Sequence, residues 1–108
     1  MPTSKEISVE RKADLEERSG VELAGLYASW DGDELTTVNG EIRLRPGAEP
    51  EHDLQIVAAA YDAQGRVIGR GECLVLKGEF LGFDVFSMPV FHPPQPPAKV
   101  LVFVGPRV

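Results

Sequence analysis

The chain has one cysteine, one tryptophan and two histidines in 108 residues, and its 11 basic residues are outnumbered by 17 acidic ones. A single cysteine, Cys73, excludes an intramolecular disulfide and any cysteine-based metal cluster. Leu74, Val75 and Leu76 follow it, so it is expected to be a small buried hydrophobe within a strand. Thiol catalysis would need a histidine, and His52 and His92 are both flanked by loop residues. No apolar run approaches the ~20 residues of a membrane-spanning helix. The N-terminal MPTSKEISVERK lacks the apolar core of a signal peptide. As written the chain reads as cytoplasmic, or as extracytoplasmic if it is a piece of a longer secreted protein. The shortage of positive charge, a net −6, sets DNA, RNA and anionic membranes against it as partners, because phosphates repel an acidic surface.

What is present points to one compact β domain spanning 1–108. The length suits a single core, and the 43% apolar content is that of a globular protein. Period-two alternation marks half-buried strands. "EIRLR" sets Ile42 and Leu44 against Glu41, Arg43 and Arg45, and "LQIVAAAYD" sets Leu54, Ile56, Ala58 and Ala60 against Gln55, Val57, Ala59 and Tyr61. "KVLVFVG" (99–105) is apolar on both faces, as for a central strand covered from each side. "VELAGLYASW", "GECLVLKG" and "LGFDVFSM" add further strands. "VNGEI" reads as the interior of one long strand from Leu35 to Leu44, with a bulge or a close neighbour at Gly40, in preference to a hairpin turn. In "ISVERKADLEERSG", Ile7, Val9, Ala13 and Leu15 all fall on odd positions, which favours a strand, so residues 1–18 form a peripheral first strand or arm. The competing helical reading has Ser8 as its N-cap and Gly20 as its stop.

The breaks carry turn chemistry. "RPGAEPEH", "DAQG", "LKGE" and "HPPQPPA" combine proline, which fixes φ, with glycine, which supplies positive φ. Pro94 and Pro97 have PxxP spacing, but the long strand that follows favours a stiff crossover over a ligand for an SH3-like domain. "AYDAQGRVIGRGE" (60–72) looks at first like a phosphate loop, with Gly65, Gly69 and Gly71 beside Arg66 and Arg70. A phosphate loop needs a lysine, a Ser/Thr and a following helix, whereas "ECLVL" follows here. Asp62 to Gly65 fits a four-residue turn instead, with the two later glycines facing one side of the outgoing strand and leaving room for bulky side chains. "WDGDE" opens like a calcium loop, but Thr36 and Ile42 stand where that motif wants glycine and glutamate. His52 beside Glu49, Glu51 and Asp53 reads as a charged loop tip. Trp30 and Phe91 are the candidate interaction residues, Trp30 being otherwise a core-edge aromatic.

Counting gives about seven strands, the spacing of an immunoglobulin-like antiparallel β-sandwich. "VNGEI", "LQIVAAAYDAQGRVIGRGE" and "LKGEFLGFDV" together resemble the FxLYD-type immunoglobulin-like domains of bacteria and archaea. The matching residues are Tyr61-Asp62, Gly65, Val67-Ile68-Gly69, Gly78-Glu79, Phe83 and Val85. Ala58 and Ala60 stand where that family has Phe and Leu. The resemblance implies an accessory or extracytoplasmic module and no catalytic residues. The expected function is a non-catalytic protein-interaction or accessory module without cofactor or metal, its partner a protein or a second copy paired through a sheet edge. The alternative is a carbohydrate- or ion-binding accessory domain using the acidic loops at 31–34 and 49–53. No catalytic constellation argues for an enzyme.

Overall fold

The computed structural model describes residues 5–49 and 52–106. Its elements are β1 (Lys5–Ile7), β2 (Val9–Arg11), α1 (Ala13–Arg18), β3 (Val21–Trp30), β4 (Leu35–Leu44), β5 (Leu54–Tyr61), β6 (Val67–Val75), β7 (Phe83–Phe91) and β8 (Lys99–Pro106). All eight strands share one sheet, in the order β1-β3-β4-β7-β6-β5-β8-β2. Every pairing is antiparallel except β2 with β8. Ser8 alone separates β1 from β2, yet they lie at opposite ends of this order, so the sheet curls until its ends meet. The expected all-β fold is observed, with two corrections. There is one nearly closed mixed sheet where two antiparallel sheets were expected, and eight strands where about seven were. The extra strand arises because the first one breaks at Ser8 and its halves serve opposite edges.

That first segment is also where the sequence misleads. The strand reading holds through Arg11 and fails at Ala13–Arg18, which is helical. Lys12, not Ser8, precedes the helix, with no side-chain cap, while Gly20 ends it at φ 72° as the helical reading required. So short a helix completes less than two turns, too little for a helical period to show against the odd-position pattern that precedes it.

The other strands follow their patterns. In β3 the inward residues are Val21 and Leu23, then Leu26, Ala28 and Trp30, because a one-residue bulge between Ala24 and Tyr27 shifts the alternation. Gly25, at φ 59°, supplies the left-handed backbone there. β4 runs unbroken through Asn39-Gly40, and a Cβ on Gly40 would sit 2.6 Å from the Phe86 ring and 2.7 Å from Leu26. The close-neighbour reading of that glycine is the correct one, with the bulge on the strand opposite. Leu54, Ile56, Ala58 and Ala60 of β5 face the core as expected. They meet Val100, Val102 and Val104 of β8 and Met88 and Val90 of β7 in one cluster. Each fully buried Val, Ile or Met among them contributes about 1.5–3 kcal/mol. The expectation of a central strand covered from each side does not hold for β8: it lies next to the short edge strand β2, and its outer residues Leu101 and Phe103 are only half-buried.

The 60–72 stretch forms the expected hairpin. Gly65 donates its N–H to the Asp62 carbonyl at 3.1 Å, and Asp62 donates its own to the Arg66 carbonyl at 2.9 Å. Gly65 is left-handed at φ 81°, and a strand follows. Arg66 belongs to the turn, while Arg70 points outward from β6. Gly69 and Gly71 pair with Ala60 and Ala58, and an added Cβ would lie 2.4 Å from the Phe91 carbonyl oxygen at the first and 2.5 Å from that of Pro89 at the second. These glycines therefore admit the backbone of β7, not bulky side chains. Here the curled sheet crosses from β6 to β7, through the single register pair Arg70 and Phe91.

Candidate functional site

β7 reads "FDVFSMPVF", and its two faces have different fates. Phe86, Met88 and Val90 enter the core, whereas Phe83, Val85 and Phe91 point outward with nothing packed over them. These three are 53%, 64% and 67% exposed. Leu81, in the turn before β7, is exposed as well, as are Leu74 and Val67 of β6. Most of the exposed large apolar side chains thus lie along β6, β7 and the turn before β7. Monomeric proteins rarely display such clustering without a use for it.

Register places the neighbours. Leu35, Thr37, Asn39, Glu41 and Arg43 of β4 stand opposite Phe91, Pro89, Ser87, Val85 and Phe83. Beyond them Tyr27, 45% exposed, stands opposite Asn39. A shallow groove of about 470 Å³ lies between, lined by Gly25, Asn39, Glu41, Val85 and Ser87 among others. The Gly25 bulge leaves room beside the Glu41 side chain, whose ion pair with Arg43, at 2.6 Å, borders the groove. The surface is an apolar stripe flanked by polar groups, the composition of a contact patch.

The free edge of β7 is guarded. The carbonyls of Pro89 and Phe91 face β6, so the odd-numbered residues of β7 direct their backbone groups to that side. Proline offers no N–H there, and the Val85 N–H donates to Asp84 Oδ1 at 2.8 Å. A charge near an edge and a proline within it both discourage strand addition. This explains why β7 continues through Pro89, since proline is tolerated where one edge is unpaired. Across the same seam the Cys73 thiol is pushed up from its ordinary value, chiefly by burial and secondarily by the Asp84 charge. A thiol so placed is a poor nucleophile.

The sequence-derived candidates Trp30 and Phe91 lie at the same end of the sheet but on opposite faces. Trp30 shares its side with Thr36 and packs against the core, its Nε1–H donating to the Asp33 carbonyl at 2.7 Å. Phe91 faces outward beside Leu35. The 31–34 turn is closed internally, with Asp31 Oδ1 accepting the Asp33 N–H at 2.9 Å. His52 is exposed at the mouth of a cleft of about 540 Å³ between α1, the loop after β4 and the end of β8. Glu51 lies outside the described residues, and among those described no three His, Cys, Asp or Glu groups converge as a metal site. No helix among them is long and apolar enough to cross a membrane.

Two polar pairs escaped sequence reasoning. His92 is buried, with Nε2 2.7 Å from Thr36 Oγ1 and Nδ1 2.7 Å from the Pro93 carbonyl. A carbonyl can only accept, so Nδ1 carries a proton, and in the neutral ring Nε2 accepts from the threonine hydroxyl. The pair ties the start of β4 to the end of β7 and holds the base of the proline-rich crossover. Glu16 is fully buried, paired to Arg11 at 2.5 Å and accepting the Leu23 N–H at 2.9 Å. Within "ADLEERS" nothing distinguishes Glu16 from its solvated neighbours, so only the fold reveals it. No family model, no curated protein and no solved structure matches this chain.

Proposed function

We propose that the protein is a non-catalytic interaction module that contacts its partner through the outer face of β7. The carrying observation is that Phe83, Val85 and Phe91 are each more than half exposed on the outer face of a nine-residue strand, with Ser87 and Pro89 between the last two. Tyr27 and Leu35 extend the apolar surface, and the Glu41–Arg43 pair supplies a polar rim. A second copy of the chain is the proposed partner. Since Asp84 and Pro89 occupy the edge, the contact is face to face, not a strand-to-strand ladder. An accessory role, as the FxLYD resemblance implies, is compatible with this reading.

Sedimentation equilibrium over a wide concentration range tests it. Wild-type protein is expected to associate reversibly, and Phe83→Ser with Val85→Ser to abolish association while the thermal midpoint stays within a few degrees. A wild type that stays monomeric throughout, indistinguishable from the double variant, would overturn the reading.

A further inference from the structure

We infer that residues 5–18 form a detachable strap, which opens as a unit ahead of the rest of the fold and is held shut by an Arg11–Glu16–Leu23 latch. The strap alone joins the two ends of the curled sheet. β1 pairs with only three residues of β3, Ala28 to Trp30, and β2 with only three of β8, Val100 to Val102. Both host strands extend well past these contacts, β3 being ten residues long and β8 eight.

Apolar anchorage is sparse. Ile7 is the one hydrophobic side chain of the strap that is fully withdrawn from water, while Val9 and Leu15 are half-buried. Polar contacts supply the rest. Where β1 ends, the edge of β3 is bare at Leu23, and Glu16 reaches back to accept that N–H at 2.9 Å. Arg11 grips the same carboxylate from β2, through Nε at 3.1 Å and a terminal nitrogen at 2.5 Å. The carboxylate is fully buried and satisfied on both oxygens, so removing its partner leaves a buried charge without compensation. The nearby Val21 carbonyl is served by Arg45 Nε at 2.9 Å, a bond that does not depend on the strap. Opening therefore breaks the latch and the two short ladders and leaves the main core strands in place. Elements with few buried apolar contacts open at lower free energy than the whole molecule.

When the strap lifts, it uncovers the free edges of β3 and β8 together with the Ile7 socket. This surface lies away from the outer face of β7, and the inference stands independently of the proposed function.

Native-state amide exchange on the full chain, followed by NMR at increasing sub-denaturing urea, tests the strap. Leu23 and Val100, whose N–H groups donate to Glu16 and to the Ser8 carbonyl, are the reporters. Ile56 to Ala58 in β5, flanked by β6 and β8, are the reference. The reporters are expected to exchange faster than the reference, with weak urea dependence. Glu16→Gln and Arg11→Gln should each speed the reporters about tenfold or more and leave the reference unchanged. Reporters that match β5 in both rate and urea dependence in the wild type would overturn the inference, whether or not either variant folds.

Discussion

Asp62 turns one carboxylate into the anchor of a hairpin. Its Oδ1 accepts the N–H groups of Gln64 and Arg66, both at 2.9 Å, and its Oδ2 accepts Arg66 Nε at 2.8 Å. The backbone bond from Arg66 does most to hold its pKa below the ordinary 3.8, and the donors together outweigh the opposing effect of desolvation. Folded-state pKa below unfolded means that the ionised group stabilises the protein above the ordinary value, and that this share is lost as pH falls through the lowered one. The stability advantage of wild type over Asp62→Asn in urea titrations is therefore expected to be full at neutral pH and to shrink on acidification below 3.8. At Gly71 the constraint is steric. An added Cβ would stand 2.5 Å from the Pro89 carbonyl oxygen, whereas one at Gly78 would meet nothing within 4 Å. Gly71→Ala is expected to cost about 1–3 kcal/mol, a drop of roughly 4–20 °C in thermal midpoint for a chain of this size. Gly78→Ala should stay within about 0.5 kcal/mol of wild type.

Among the elements, legibility followed the strength of the local pattern. Ile42 and Leu44 of β4 and Leu54, Ile56, Ala58 and Ala60 of β5 face the core as their alternation indicates, although Val57 and Ala59 on the other face of β5 are buried as well. The Asp62–Gly65 turn was legible because each residue has a local reason for its place. α1 was not, because six residues give too little helical period to outweigh Ile7 and Val9 before it. The break at Ser8 left no mark either, since both halves of the segment are genuine strands and only their partners differ. For β7, "LGFDVFSM" indicated a strand, yet both of its faces are apolar, and only the fold shows that one of them has no cover. The Phe83→Ser and Val85→Ser exchange belongs to this scale: residues that support no core contact should be removable without loss of stability, leaving association as the property that changes.

For the whole molecule, closure depends on long-range pairings that no local signal encodes. The sheet shuts on one side through the strap and on the other through glycines that let β6 and β7 cross. On that second side β7 keeps one free edge beyond its contact with Arg70, and its outer face stays bare beside it. Its even residues bond to β4, and its odd residues turn their backbone groups to the open seam. Residue-resolved amide exchange along β7 is the most direct measurement of that geometry. Phe86, Met88 and Val90 are expected to be protected by β4, with Ser87 between them exchanging far faster and Val85 shielded only by the Asp84 side chain. Protection of Ser87 and Val85 equal to that of Phe86 and Met88 would mean that another strand covers this edge, and would contradict the architecture described.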